Sequence, residues 1–249
     1  MNGRDERSVL VIAGFAPSLV NFRGPLLLAI RRAGHRVAAA APDLRPGESA
    51  TTTLEAIGVS CHDVPLSRTG LNPVADARSL VALYRLIRRE RPDIVLAYTL
   101  KPVVFGLLAA ALAHVPRRYA LITGVGYAFT GQATGKRRLV RAISRALYRM
   151  SLKRADKLFF QNPDDAELFR TLRLLPPNHP VVIVNGSGVD GVHFRPAPSP
   201  DAPVRFLLIA RLLSTKVFSS FSSEKFLCST GVSFVPERSK RGIFRPPSA

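Results

Sequence analysis

The chain has 249 residues, yet no tryptophan, two cysteines, two methionines and only 17 acidic residues. Each shortage excludes something. Cys61 and Cys228 form neither a disulfide framework nor a metal-ligand spacing, and they suit a reducing compartment. The five histidines, His35, His62, His114, His179 and His193, pair at no metal-ligand spacing, so no metal site is expected. The longest apolar run, Pro102 to Pro116, falls short of the roughly 20 residues a spanning helix needs. The N-terminus mixes both charge signs, and the apolar run behind it (Val9 to Ala13) is too short for a signal peptide. A soluble cytoplasmic protein is expected. No GxGxxG follows the first apolar run, which disfavours a classical dinucleotide site. There is also no P-loop lysine and no nucleophile elbow.

The lack of acid leaves 36 Lys and Arg to set a net charge of +19. That balance favours an anionic partner: a phosphate-bearing ligand, nucleic acid or an acidic membrane. A solvated basic face would give the same count. Much of the charge falls in "KRRLVRAISRALYRMSLKRADK", where Arg138, Arg141, Arg145, Arg149 and Lys153 recur at steps of three or four residues. Leu139, Val140, Ile143, Leu147 and Met150 form an adjoining apolar face. A basic amphipathic helix can lie on anionic lipid or meet a lipid phosphate. Packing of that apolar side on a sheet explains the stripe equally well. No aromatic interleaving supports stacking on bases, so nucleic acid is not an expected partner.

What the chain has is a regular alternation of strand, loop and helix. "SVLVIAG" is a continuous apolar run, as buried parallel strands are. "HRVAAAAP", "GVSCHDVP", "DIVLAYT", "RYALITG", "KLFFQ" and "PVVIVNG" repeat the signal. Helices are expected between them: from about Gly24 to Ala33, Thr51 to Ile57, after Asn72-Pro73, Pro102 to Ala113, Gly135 to Asp156, and in "NPDDAELFRTL". Asn72 and Asn162 read as N-caps, each followed by Pro at the first helical position. The pattern implies α/β architecture: a Rossmann-like, doubly wound parallel sheet with helices on both faces.

Such sheets bind ligands at the carboxyl ends of their strands. The first loop to inspect is "GFAPSLVNFRGP", where Gly14 allows close approach, Ser18 and Asn21 can hydrogen-bond, and Arg23 precedes an expected helix start. After strand four, Tyr98, Thr99 and Lys101 are three polar groups at the sheet's edge. After strand five, "TGVGYAFTGQATGK" carries four glycines, including Gly124 and Gly126 beside Tyr127. Plain capped loops and mobile glycine turns would carry the same residues.

Together, "VNFRGPLLLAI", "PDIVLAYTLKPVVFG", "ALITGVGYAFTG", the basic helix followed by "ADKLFFQNPDD", and "VNGSGVDGVHFRP" with "ARLLSTK" behind it resemble the amino-terminal half of family-4 glycosyltransferases. These enzymes have two facing Rossmann-like domains, the GT-B architecture. The branch most resembled extends lipid-linked sugars for capsules, exopolysaccharides, O-antigens or bacterial N-glycans. The resemblance implies retaining transfer of a hexosyl-type sugar from a nucleotide-sugar to a lipid-linked or polysaccharide acceptor, with no cofactor and no required metal. It implies that Gly14, Arg211 and Lys216 meet the donor phosphates, the two cations stabilising charge on the leaving diphosphate. Asn21, Arg23, Tyr98, Thr99, Lys101, Gly124, Gly126 and Tyr127 would line the acceptor side. Arg138, Arg141, Arg145, Arg149 and Lys153 would hold an anionic membrane surface or a lipid diphosphate, on the inner face of the plasma membrane. No catalytic residue is assigned.

The resemblance ends at Lys216. "RPAPSPDAP" reads as a linker, so residues 1–200 are expected to form the acceptor-side domain and 204–216 the start of a donor domain. Residues 217–249 hold eight Ser and five Phe but one Ala and one Leu, with no sustained period, and are expected to be disordered. Members of the family carry a glutamate pair seven residues apart that grips the donor. After Lys216 this chain has only Glu224 and Glu237, and Val217 stands where the family tends to have glycine. The donor domain is therefore expected to be missing and the chain inactive alone, unless a partner chain supplies the other half.

Overall fold

The computed structural model describes residues 6–67, 72–124, 136–189, 191, 194–196 and 198; of Lys136, Arg137, Leu139, Val140 and Arg141 it describes the backbone only. Residues up to 189 form one compact unit and those from 190 another.

Seven strands and six helices follow in order: β1 (Ser8–Ile12), α1 (Ala16–Arg32), β2 (Arg36–Ala41), α2 (Ser49–Ala56), β3 (Val59–Asp63), α3 (Pro73–Glu90), β4 (Ile94–Tyr98), α4 (Leu100–Leu112), β5 (Arg117–Ile122), α5 (Lys136–Leu152), β6 (Lys157–Phe160), α6 (Pro163–Thr171) and β7 (Val181–Ile183). They form a single parallel sheet in the order β3-β2-β1-β4-β5-β6-β7. The expected Rossmann-like, doubly wound sheet is what the chain adopts. Because β1 is flanked by β2 and β4, the order of strands reverses between β1 and β4. That reversal opens a crevice at the strands' carboxyl ends.

The alternation of side chains along β1 shows why the run is apolar throughout. Leu10 and Ile12 join the core beneath α3, α4, α5 and α6, while Val9 and Val11 join the core beneath α1 and α2. Helix α4 is buried on nearly every side, from Lys101 to Ala110, which fits a sequence apolar but for Lys101. It lies closest to the strands that border the crevice: Gly106 would set a Cβ 3.1 Å from Ile12 Cδ1 and 3.3 Å from Ala97 Cβ. The caps behave as their sequences imply. Asn72 Oδ1 accepts from the amides of Val74 and Ala75 at 3.1 Å each. Asn162 Oδ1 accepts from the amide of Asp165 at 2.7 Å.

Two helices differ from expectation. Helix α1 starts at Ala16, not Gly24, and carries Pro25 in its interior. The proline removes the bond to the Asn21 carbonyl, and Asn21 is exposed, so water can satisfy that carbonyl. In α5 the buried residues are Ser144, Tyr148, Ser151 and Leu152, whereas Ile143 and Met150 are each 41% exposed. The core face is rotated from the one the apolar pattern suggested. A buried serine is tolerable because it bonds within its helix: Ser151 Oγ donates to the Tyr148 carbonyl at 3.0 Å.

Two histidines make the fold sensitive to acid. Burial holds His62 below its usual 6.5; Glu90 opposes that shift and Arg89 adds to it. Burial likewise lowers His179, opposed by Asp156. Below pH 6.5 the unfolded chain takes up these protons before the folded one does, so stability falls as pH falls through that range. A urea midpoint lower at pH 5.5 than at 7.5 is expected; equal midpoints would contradict the assignment.

Candidate functional site

The crevice between β1 and β4 is built from three chain segments. Gly14 follows β1 and has no side chain. A Cβ there would meet Thr99 Oγ1 at 3.2 Å and Pro102 Cγ at 3.5 Å, so β1 and the start of α4 approach closely at this point. Thr99, the N-cap of α4, has φ 67° and ψ 167° and makes no side-chain cap bond. That conformation is nearly reserved for glycine and costs on the order of 1–3 kcal/mol at a β-branched residue. Strain held at a switch point marks a place where geometry outranks stability. Thr99→Gly is expected to be neutral or stabilising by up to about 1 kcal/mol, against the usual effect of a Thr-to-Gly change. Chemical denaturation checks this, and a clear loss of stability would show that Thr99 is unstrained.

Beside this backbone lies a polar cluster. Tyr98 is 2% exposed, and its hydroxyl stands 2.8 Å from Ser18 Oγ. Ser18 spends its own proton on the Phe15 carbonyl at 2.6 Å, so Tyr98 is the donor of the pair. Burial raises the Tyr98 phenol, with Ser18 and Arg23 opposing, and it is neutral at physiological pH. Arg23 lies with its guanidinium carbon 5.0 Å from the centre of the Tyr98 ring, a cation–π contact. Its Nη1 donates to Ser187 Oγ at 2.8 Å and to the Phe22 carbonyl at 3.2 Å. Ser187 follows β7 and also accepts from Gln161 Nε2 at 3.2 Å, so the loops after β6 and β7 converge on it. Arg23 is 5% exposed, and its Nε has no hydrogen-bond partner among the described residues. Burial pulls its guanidinium below the ordinary value, with Tyr98 opposing.

Of the residues singled out in the sequence, the fold thus gathers Gly14, Ser18, Thr99, Tyr98 and Arg23. Arg23 does not precede a helix start, as expected, but lies inside α1, because α1 begins earlier. Asn21 is exposed on the same helix, and Gly124, two residues beyond β5, is exposed with φ 146°. Lys101 is buried at 7% exposure, where its Nζ donates to Asp76 Oδ1 of α3 at 2.6 Å. Gly126, Tyr127, Arg211 and Lys216 lie outside the described residues, and so does the tail from 217. On α5, Arg138, Arg149 and Lys153 are exposed and Arg145 is half-buried; the Arg141 side chain is outside the description. Arg149 Nε donates to the Arg173 carbonyl at 2.7 Å, which ties α5 to the turn after α6. Ser187 and Gln161 were not singled out in the sequence, although both lie in segments that carry the family resemblance.

Among the described residues no helix is long and apolar enough to cross a membrane, and no three His, Cys, Asp or Glu gather to hold a metal.

A doubly wound parallel sheet whose polar groups converge at the strand-order reversal defines the class: an α/β ligand-binding domain of Rossmann type. The family model described as a glycosyl transferase 4-like domain matches residues 24–186, and the chain belongs to that family. It is 28% identical over 179 residues to an N,N'-diacetylbacillosaminyl-diphospho-undecaprenol alpha-1,3-N-acetylgalactosaminyltransferase of Campylobacter jejuni, covering 72% of this chain and 46% of that one. It is 31% identical over 134 residues to a UDP-Gal:alpha-D-GlcNAc-diphosphoundecaprenol alpha-1,3-galactosyltransferase of Escherichia coli, covering 54% and 33%. The chain thus spans less than half the length of these relatives. A glycosyltransferase structure from Rickettsia africae shares the fold at a TM-score of 0.52 and 15% identity, over 80% of this chain and 47% of that one.

Proposed function

We propose that the protein serves retaining, metal-independent transfer of a hexosyl or N-acetylhexosaminyl group from a nucleotide-sugar to a lipid-linked acceptor, and that residues 6–189 form its acceptor side. The observation that carries this reading is the furnishing of the β1–β4 crevice. It offers bare backbone at Gly14, two hydroxyls on Ser18 and Tyr98, and a cation on Arg23. No salt bridge joins that cation to a carboxylate among the described residues. A neutral hydrogen-bonding wall with one free positive charge suits a sugar hydroxyl array carrying a phosphate. Both relatives are named for diphospho-undecaprenol substrates, which is that chemistry. The resemblance assigns Arg211 and Lys216, which lie outside the described residues, to the donor diphosphate, where two cations would stabilise the leaving group.

The outer face of α5 supports a peripheral membrane position. Exposed Ile143 and Met150 sit among exposed Arg138, Arg149 and Lys153, a surface that can bury apolar groups in an anionic interface. The 249-residue chain is expected to bind the acceptor. The test is an extension assay: a polyprenyl-diphosphate-linked sugar on anionic vesicles is incubated with the chain and a panel of nucleotide-sugars. Acceptor binding without transfer fits; failure to bind the lipid-linked sugar contradicts the reading.

A further inference from the structure

Arg23 is the one buried cation of the crevice whose charge the described residues leave uncompensated. The other buried cation near it, Lys101, has Asp76 at 2.6 Å. Arg23 has a ring face, a serine hydroxyl and a backbone carbonyl, all neutral. Its Nε is buried without a partner, and Nη2 makes no hydrogen bond to a described residue. A guanidinium presents Nε and Nη2 as one edge of its fork, the edge that matches a pair of phosphate oxygens. The other edge is already spent on positioning: Nη1 is held by Ser187, and the plane is held against Tyr98. Tyr98 is in turn fixed by Ser18. The arrangement is therefore a preorganised, buried cation with one edge unpaired among the described residues, at the end of the sheet where ligands bind in folds of this kind.

We propose that Arg23 is the diphosphate-recognising residue of this crevice, with Tyr98, Ser18 and Ser187 as its positioning residues. This rests on the glycosyltransferase reading above and names which group of the substrate the buried charge meets. Diphosphate chemistry has two sources there, the lipid-linked acceptor and the nucleotide donor, and the proposal commits to the acceptor because it rests on the reading of residues 6–189 as the acceptor side.

The experiment is calorimetric titration of the 249-residue chain and its variants with three probes: inorganic pyrophosphate, a farnesyl-diphosphate-linked N-acetylglucosamine, and UDP. Arg23→Gln is expected to lose about tenfold or more in affinity for pyrophosphate and for the lipid-linked sugar, with Arg23→Lys recovering part of it. Unchanged UDP affinity identifies the acceptor as the source; loss confined to pyrophosphate and UDP identifies the donor. Ser187→Ala, which leaves the charge in place, is expected to weaken the same probes less, and it serves if Arg23→Gln does not fold. Equal affinity of wild type and folded Arg23 variants for every diphosphate would overturn the proposal while leaving acceptor binding intact. A wild type that binds no lipid-linked sugar would instead sink the functional reading beneath it.

Discussion

Lys101→Met is expected to lower the stability of the protein by about 3 kcal/mol, a fall of about 6–12 °C in Tm for a domain of this size. The substitution strands Asp76 as a buried carboxylate without its counter-ion. Both side chains are nearly inaccessible, at 9% and 12%, and their 2.6 Å contact links the first turn of α4 to the first turn of α3. The double variant Asp76→Leu/Lys101→Met removes both charges, and it should return to within about 1 kcal/mol of wild type. Differential scanning calorimetry of the two singles and the double measures the coupling. Additive losses would mean that the pair is not the reason for the burial. The same proteins test the role of Lys101. Its ammonium is spent on α3, so the double variant should bind lipid-linked sugar within about twofold of wild type, whereas a ligand-contacting lysine would cost far more.

Gly14→Val is expected to have the opposite balance of effects. The new Cβ must displace Thr99 Oγ1 by a few tenths of an ångström, which costs about 1–2 kcal/mol in stability. The rest of the side chain would crowd the backbone beside Thr99 and Pro102, so affinity for a substrate bound there should fall by about 10²-fold. Titration alongside thermal denaturation separates the two effects. A valine variant that folds and binds normally would show that no ligand comes within contact of the β1 terminus.

The sheet was legible in the sequence because parallel strands are buried on both faces and read as unbroken apolar runs; "SVLVI" and "RVAAAA" admit little else. Helices α3 and α6 were legible at their starts, because an Asn cap followed by Pro has a local cause. The start of α1 was not. Pro25 reads as a first-turn proline, and only the packing of Ala16 and Leu19 on the sheet makes the preceding residues helical. The outward turn of Ile143 and Met150 was hidden for a similar reason: tertiary contacts accept Ser144 and Ser151 as core, against their composition.

The candidate site was half legible. Gly14, Arg23, Tyr98 and Thr99 stand where the rule about strand ends directs attention. Their relations are long-range: Arg23 meets Ser187 across 164 residues, and Lys101 meets Asp76 across 25. Local spacing cannot announce such pairings. The resemblance placed Lys101 and Tyr98 together on the acceptor side, and the fold brings Lys101 to Asp76 of α3 and Tyr98 to Ser18 and Arg23.

The most direct test of the account is amide hydrogen exchange of the 249-residue chain with and without a farnesyl-diphosphate-linked N-acetylhexosamine. If the β1–β4 crevice is the acceptor site, protection should appear in segments 13–24, 98–102 and 185–188, the three that converge on Gly14, Tyr98 and Ser187. Protection confined to other segments, with these three unchanged under saturating ligand, would contradict it.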